Sequence, residues 1–177
     1  MYRGNRDRFF WLVSTHHTLG DLVDKCPELF VGRSVVVTAF DSGPLAPTRE
    51  ERDAGWQQRG DVAIAPPDLE PSKIPFDNFD EWYLFDGQVP EFGGLEVFVN
   101  CGAFSPVPPE PASRQGPTWD EGARREYVRD LEALQARFWS QLQRLQPSCY
   151  IGDGDLLTVV AQSEVERNRI WDQLAAQ

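Results

Sequence analysis

Apolar positions in this chain change period several times, and each change marks an element. Residues 8–14 (RFFWLVS) are a run of aromatic and β-branched side chains, the composition of a buried strand. Leu19, Leu22, Val23 and Cys26 then recur at i, i+3, i+4 and i+7, one stripe of a short helix. Thr18 is placed to cap that helix and Pro27 to end it. Residues 34–40 (SVVVTAF) are a continuous apolar run and predict a central strand. Strand, short helix and strand in this order predict a crossover unit.

The middle of the chain is more broken. Thr48 and Glu51 match the capping box S/T-x-x-E, which predicts a helix over 49–58. Residues 61–65 predict a short strand stopped by Pro66 and Pro67, and further prolines at 71 and 75 make 66–80 irregular. Residues 81–85 predict another strand. Leu95, Val97 and Val99 alternate with Glu96 and Phe98, the period of a half-buried strand over 95–101. Gly87, Gly93 and Gly94 lie between these two strands and predict an antiparallel hairpin with a long loop.

Five prolines between 104 and 117 predict an extended connector. Thr118 and Glu121 form a second capping box. Tyr127, Leu131, Leu134, Phe138, Leu142 and Leu145 follow at spacings of 4, 3, 4, 4 and 3, the strongest periodicity in the chain, and Pro147 ends it. A helix over 119–146 would be about 42 Å long at 1.5 Å per residue. Residues 148–162 read as two strands around an Asp-Gly turn. Ser163 and Glu166 make a third capping box, opening a terminal helix with Ile170, Trp171 and Leu174 facing inward. The elements together predict an α+β fold: a mixed sheet of five to seven strands with the long helix of the C-terminal half packed on one face. Residues 1–103 are the N-terminal portion of a single domain in this reading, 104–117 a connector, and 118–177 the part that completes the same domain.

Composition narrows the class without naming an activity. At 177 residues and 20.1 kDa the length suits one domain, large enough to fold without a disulfide or structural metal. With 41% hydrophobic and 25% charged residues, the chain is neither disordered, collagen-like nor a membrane bundle. Charge adds more. Lys plus Arg is 17 and Asp plus Glu is 28, a net of -11, and residues 41–96 hold four of those bases and 13 of the acids. Such a field repels phosphate backbones and anionic lipid, so neither nucleic acid nor a membrane is the expected partner. It speeds association with a basic protein surface. Cys26, Cys101 and Cys149 are odd in number and far apart, with no CxxC spacing, which disfavours zinc and fits a reducing compartment. The apolar run 9–13 is too short for a signal-peptide core or a membrane span, so a cytoplasmic location is expected.

Four constellations carry candidate chemistry. Residues 76–86 hold five aromatics and four acids. Aromatics supply contact area and acids steer cations, so Asp77, Asp80, Glu81, Trp82, Tyr83 and Asp86 are the candidate partner-binding residues. The competing reading is a strand buried on both faces, Trp82 and Leu84 on one and Tyr83 and Phe85 on the other. His16 and His17, the only histidines, lie between the first strand and the first helix, where a general base is often placed. Cys101 becomes a nucleophile only if one of them reaches it. Asp153 and Asp155 stand in a glycine turn, which lacks the further ligands of a calcium loop and reads as a hairpin turn. No catalytic, metal-binding or cofactor motif occurs. The expected function is a non-enzymatic acidic protein-binding domain, of the immunity or antitoxin type or an accessory subunit. The alternative is a small hydrolase or transferase using His16 or His17 with Cys101 or a carboxylate.

Overall fold

The aromatic run is a strand, the second of eight among the described residues. The computed structural model describes residues 1–38, 55–59, 62–68, 70–73, 81–91, 121–154 and 156–176. β1 (Tyr2–Arg6) pairs with β2 (Phe9–Ser14) through a two-residue turn in which Asp7 takes a φ of 53°. α1 (Leu19–Lys25) follows, opened by Thr18 and Asp21 in a reciprocal capping box and buried through Leu19, Leu22 and Val23. A 3-10 turn at Pro27–Leu29 leads to β3 (Ser34–Thr38). β4 (Gln57–Arg59), β5 (Val62–Ile64) and β6 (Glu81–Phe85) come next. α2 (Glu121–Leu145), β7 (Cys149–Asp153), β8 (Leu157–Ala161) and α3 (Glu164–Ala175) complete the described chain.

The eight strands form one sheet in the order β1-β2-β8-β7-β6-β3-β5-β4, and every neighbouring pair is antiparallel. The fold is therefore α+β, with eight strands among the described residues rather than five to seven, and those eight form an antiparallel rather than mixed sheet. β2 and β3 run in the same direction, so α1 does belong to a crossover, but one that passes β8, β7 and β6. The β7–β8 hairpin, from the end of the chain, fills that gap between β2 and β6. β1 was not foreseen: its residues (YRGNR) are polar and exposed, and Asp7-Arg8 carries no glycine to announce a turn.

Alternation along the strands divides the core in two. One face carries Leu12, Val35, Val37, Trp82, Leu84, Cys149, Ile151, Leu157 and Val159 beneath α1 and α3. The other carries Phe9, Val36, Val62, Tyr83, Phe85, Tyr150 and Val160 beneath the end of α2, through Phe138, Trp139, Leu142 and Leu145. Phe138 meets Tyr150 edge-on at 4.9 Å, and Trp139 lies 5.8 Å from Phe9. β1 is fastened to both layers. Arg3 stacks on Trp171 of α3 at 4.9 Å, and Arg6 on Trp139 of α2 at 5.1 Å.

Three further expectations change. Gln57 and Gln58, placed in a helix over 49–58, lie in β4; residues 49–54, and the box at Thr48 and Glu51, lie outside the described residues. β6 is not half of a hairpin with 95–101, because β3 and β7 already occupy its two sides. Residues 95–101 and the connector 104–117 lie outside the described residues, as does Thr118. At the third capping box Ser163 accepts from the Glu166 amide, but the Glu166 carboxylate does not return the bond; it is drawn to Arg33 instead.

Candidate functional site

Strand alternation sorts the acidic-aromatic window. Trp82 and Leu84 enter the α1/α3 side of the core, while Glu81, Tyr83 and Phe85 enter the α2 side. Glu81, Trp82 and Tyr83 are 4%, 0% and 3% exposed, so their side chains are inside the protein. Trp82 spends its area on Phe30, edge-on at 5.6 Å. Of the six candidate residues only Asp86 is described at the surface, and Asp77 and Asp80 lie outside the described residues.

Burying a carboxylate costs several kcal/mol unless hydrogen bonds replace water. Glu81 meets that demand with three hydroxyls from three strands. Thr38 Oγ1 donates to Oε2 at 3.2 Å and Tyr83 to the same oxygen at 3.1 Å. Tyr150 donates to Oε1 at 3.1 Å. Gly152, opposite Glu81 on β7, leaves the room this needs: a Cβ there would lie 2.6 Å from the Tyr150 oxygen. Thr158, opposite Gly152, extends the buried polar row to β8. The bonds close only in this register, since a one-residue slip would turn Tyr150 to the opposite face.

A second polar cluster lies at the mouth of α3. Arg33 donates from Nε to Asp86 at 2.8 Å, from Nη2 to Glu166 at 2.7 Å and from Nη1 to the Leu29 carbonyl at 3.1 Å. Burial opposes its charge, but the bonds to Asp86 and Glu166 outweigh burial and hold the guanidinium above its ordinary value. A groove of about 380 Å³ opens beside it, lined among others by Ser148, Gln162, Ser163 and Arg169. The charges around it are mixed, and three of the five Arg33 N–H donors are committed to Asp86, Glu166 and the Leu29 carbonyl.

The chain matches no known protein family, and no curated protein or solved structure resembles it. The site must therefore be read from its own chemistry.

The histidines do not assemble with a thiol among the described residues. His17 Nδ1 lies 2.7 Å from Ser14 Oγ, and the His16 amide donates to the same oxygen at 3.3 Å. Ser14 is 0% exposed, so the pair fastens the turn from β2 to α1 and presents no nucleophile to a substrate. Cys26 and Cys149 are buried in the core. Burial, with Glu28 adding to it, pushes the Cys26 thiol up to about 11, and burial pushes Cys149 higher still. Neither thiol is activated. Cys101 lies outside the described residues. Asp153 accepts from the Leu19 amide at 2.9 Å, tying the β7–β8 turn to the start of α1. Among the described residues no group of three His, Cys, Asp or Glu could hold a metal, and no helix is long and apolar enough to cross a membrane.

The surface feature that the periodicity concealed is on α2. Its stripe is buried only from Phe138 onward; Leu131 is half-buried, and Tyr127, Val128 and Leu134 are 48%, 40% and 41% exposed. The first half of the helix thus carries partly exposed apolar side chains. Arg33 and Tyr150 carry no sequence signal of their own, and the capping-box and turn patterns at Glu166 and Gly152 do not reveal the bond to Arg33 or the room left for Tyr150. One signal was present: a Glu opening an otherwise apolar strand that reads as buried on both faces must find donors.

Proposed function

We propose that this chain is a non-enzymatic acidic binding domain for a protein partner with a basic surface, of the immunity or antitoxin kind or an accessory subunit. The exposed half of the α2 stripe carries the reading. Tyr127 and Leu134 recur on one side of a helix, with Val128 on its flank and charged neighbours around them, which suits an apolar groove on a partner. The net charge of -11 supports a basic rim on that partner, through long-range steering. Only three units of that excess belong to the described residues, which hold 14 of the 17 bases and 17 of the 28 acids. The described acids therefore do not form the docking patch by themselves, and α2 supplies the apolar anchor.

The test compares the chain with a Tyr127→Asp/Leu134→Asp variant as bait in lysate of its source organism, eluted by a salt gradient. Circular dichroism checks that the variant folds. A stoichiometric partner held by the parent chain, released by salt and lost by the variant, is the expected result. Equal capture by the variant removes α2 from the interface, and no partner at low salt refutes the reading.

A further inference from the structure

β1 ends the sheet, and among the described residues no strand pairs with its outer side. Tyr2, Arg3, Asn5 and Arg6 are exposed, with Gly4 half-buried between them. Sheet edges are commonly blunted by charged side chains that discourage pairing. Here the two arginines are drawn back over their own subunit. Arg3 stacks on Trp171 and donates to Asn168 at 3.3 Å on one face, and Arg6 stacks on Trp139 on the other. The Gly4 carbonyl accepts from Arg167 at 2.9 Å, which ties β1 to α3.

We propose that a second copy of this chain docks on this edge, β1 antiparallel to β1, so that one sheet runs through both subunits. The strand's own charge pattern selects this occupant. A two-fold axis normal to the sheet keeps each residue on its own face, so it must pass through a residue and not between two. Axes through Arg3 or Arg6 set an arginine against its own copy. An axis through Asn5 pairs only the end of the strand. An axis through Gly4 pairs all five residues, with Tyr2 opposite the partner's Arg6 and Arg3 opposite the partner's Asn5. No like charges are opposed in that register. Tyr2, half exposed in the single subunit, gains a guanidinium to lie against, and Arg3 gains an amide. The residue on the axis has no side chain, and the Trp11 ring fills the space above it, where a Cβ would lie 2.3 Å from the ring.

Five paired residues bury less than the roughly 1,200 Å² of a stable interface, so the dimer is weak and concentration-dependent. It is independent of any heterologous partner on α2. Sedimentation of the purified chain over a concentration series tests it. Asn5→Glu sets a carboxylate against the partner's Arg3 twice and tightens association; Asn5→Arg sets like charges there and loosens it. Each shifts the dissociation constant about two- to thirtyfold. The exchange Arg3→Asn/Asn5→Arg restores a complementary pair and recovers association. Denaturant melts of each variant confirm that the monomer is intact. A chain that stays monomeric up to about 1 mM overturns the proposal. So does a pair of Asn5 variants that move the constant in one direction or leave it unchanged.

Discussion

Gly152→Ala is the most informative single change, because it sets backbone preference against side-chain space. On propensity alone alanine in a strand is better than glycine by about 0.5–1 kcal/mol. The site reverses that sign. The added Cβ would lie 2.6 Å from the Tyr150 oxygen and 3.2 Å from the ring carbon that bears it. Relief requires a movement of about 0.8 Å to reach ordinary contact, and Tyr150 is 2% exposed, held between Tyr83 at 5.3 Å and Phe138 at 4.9 Å. The ring cannot retreat without losing its 3.1 Å bond to Glu81. Overpacking costs about 1–3 kcal/mol and a lost bond to a carboxylate about 1.5–3 kcal/mol. After the backbone gain, Gly152→Ala should destabilise by about 2–4 kcal/mol. Tyr150→Phe alone should cost about 1.5–3 kcal/mol. In the Tyr150→Phe background the offending oxygen is gone, and the alanine should cost under about 1 kcal/mol more. Urea unfolding of the four chains gives the coupling directly, expected near 2 kcal/mol. Equal costs of Gly152→Ala in both backgrounds, or a stabilised single variant, would refute the account of Gly152 as space for the hydroxyl.

Three other outcomes follow from the packing and charge. Trp82→Ala should destabilise the fold by about 3–5 kcal/mol in a denaturant melt, as expected for an indole in the core; a variant as stable as the parent would return Trp82 to the surface. Cys26 and Cys149 should stay unlabelled by a thiol reagent at mildly alkaline pH until denaturant exposes them, because burial raises both thiols, Cys26 to about 11. Asp21 is held below its ordinary value of 3.8, first by the Thr18 amide, so its contribution to stability is present above that pH and fades as the pH falls through its folded value. Asp21→Asn should flatten that part of the acid limb of a pH–stability profile, and an unchanged limb would count against the capping box.

Legibility in the sequence followed how local the deciding physics was. α1, its cap and its stop were readable because the stripe, Thr18 and Pro27 are neighbours in the chain. The β7–β8 hairpin was readable for the same reason, and β6 matched its predicted span residue for residue. Pairing partners were not readable. β6 lies between β3 and β7, and its neighbour Cys149–Gly152 is more than 60 residues away, where no turn chemistry reports it. The polar edge strand β1 left no apolar alternation to detect; it is held by arginines stacked on tryptophans from two different helices. α2 shows the limit of periodicity: the same stripe that buries Phe138 and Leu142 leaves Tyr127 and Leu134 partly exposed, because a repeat reports which side of a helix is apolar and not what covers it.

The acidic-aromatic window shows why a conspicuous composition pointed to two opposite surroundings. Aromatics and acids mixed in a short stretch describe an interface, but they describe equally a central strand that carries one buried carboxylate. The choice between them depends on donors. A lone Glu81 beneath α2 would be untenable, and with Thr38, Tyr83 and Tyr150 it becomes a bond set shared by three strands. Two of those donors lie 43 and 69 residues from it in sequence. Tyr150 reaches it only because Gly152 is bare. The sequence does hold that information, as a tyrosine and a glycine two apart on one side of a strand, but only a known register gives it meaning. Once β7 is placed beside β6, Glu81 opposite Gly152 is a requirement of the fold, and Glu81, Trp82 and Tyr83 belong to the core.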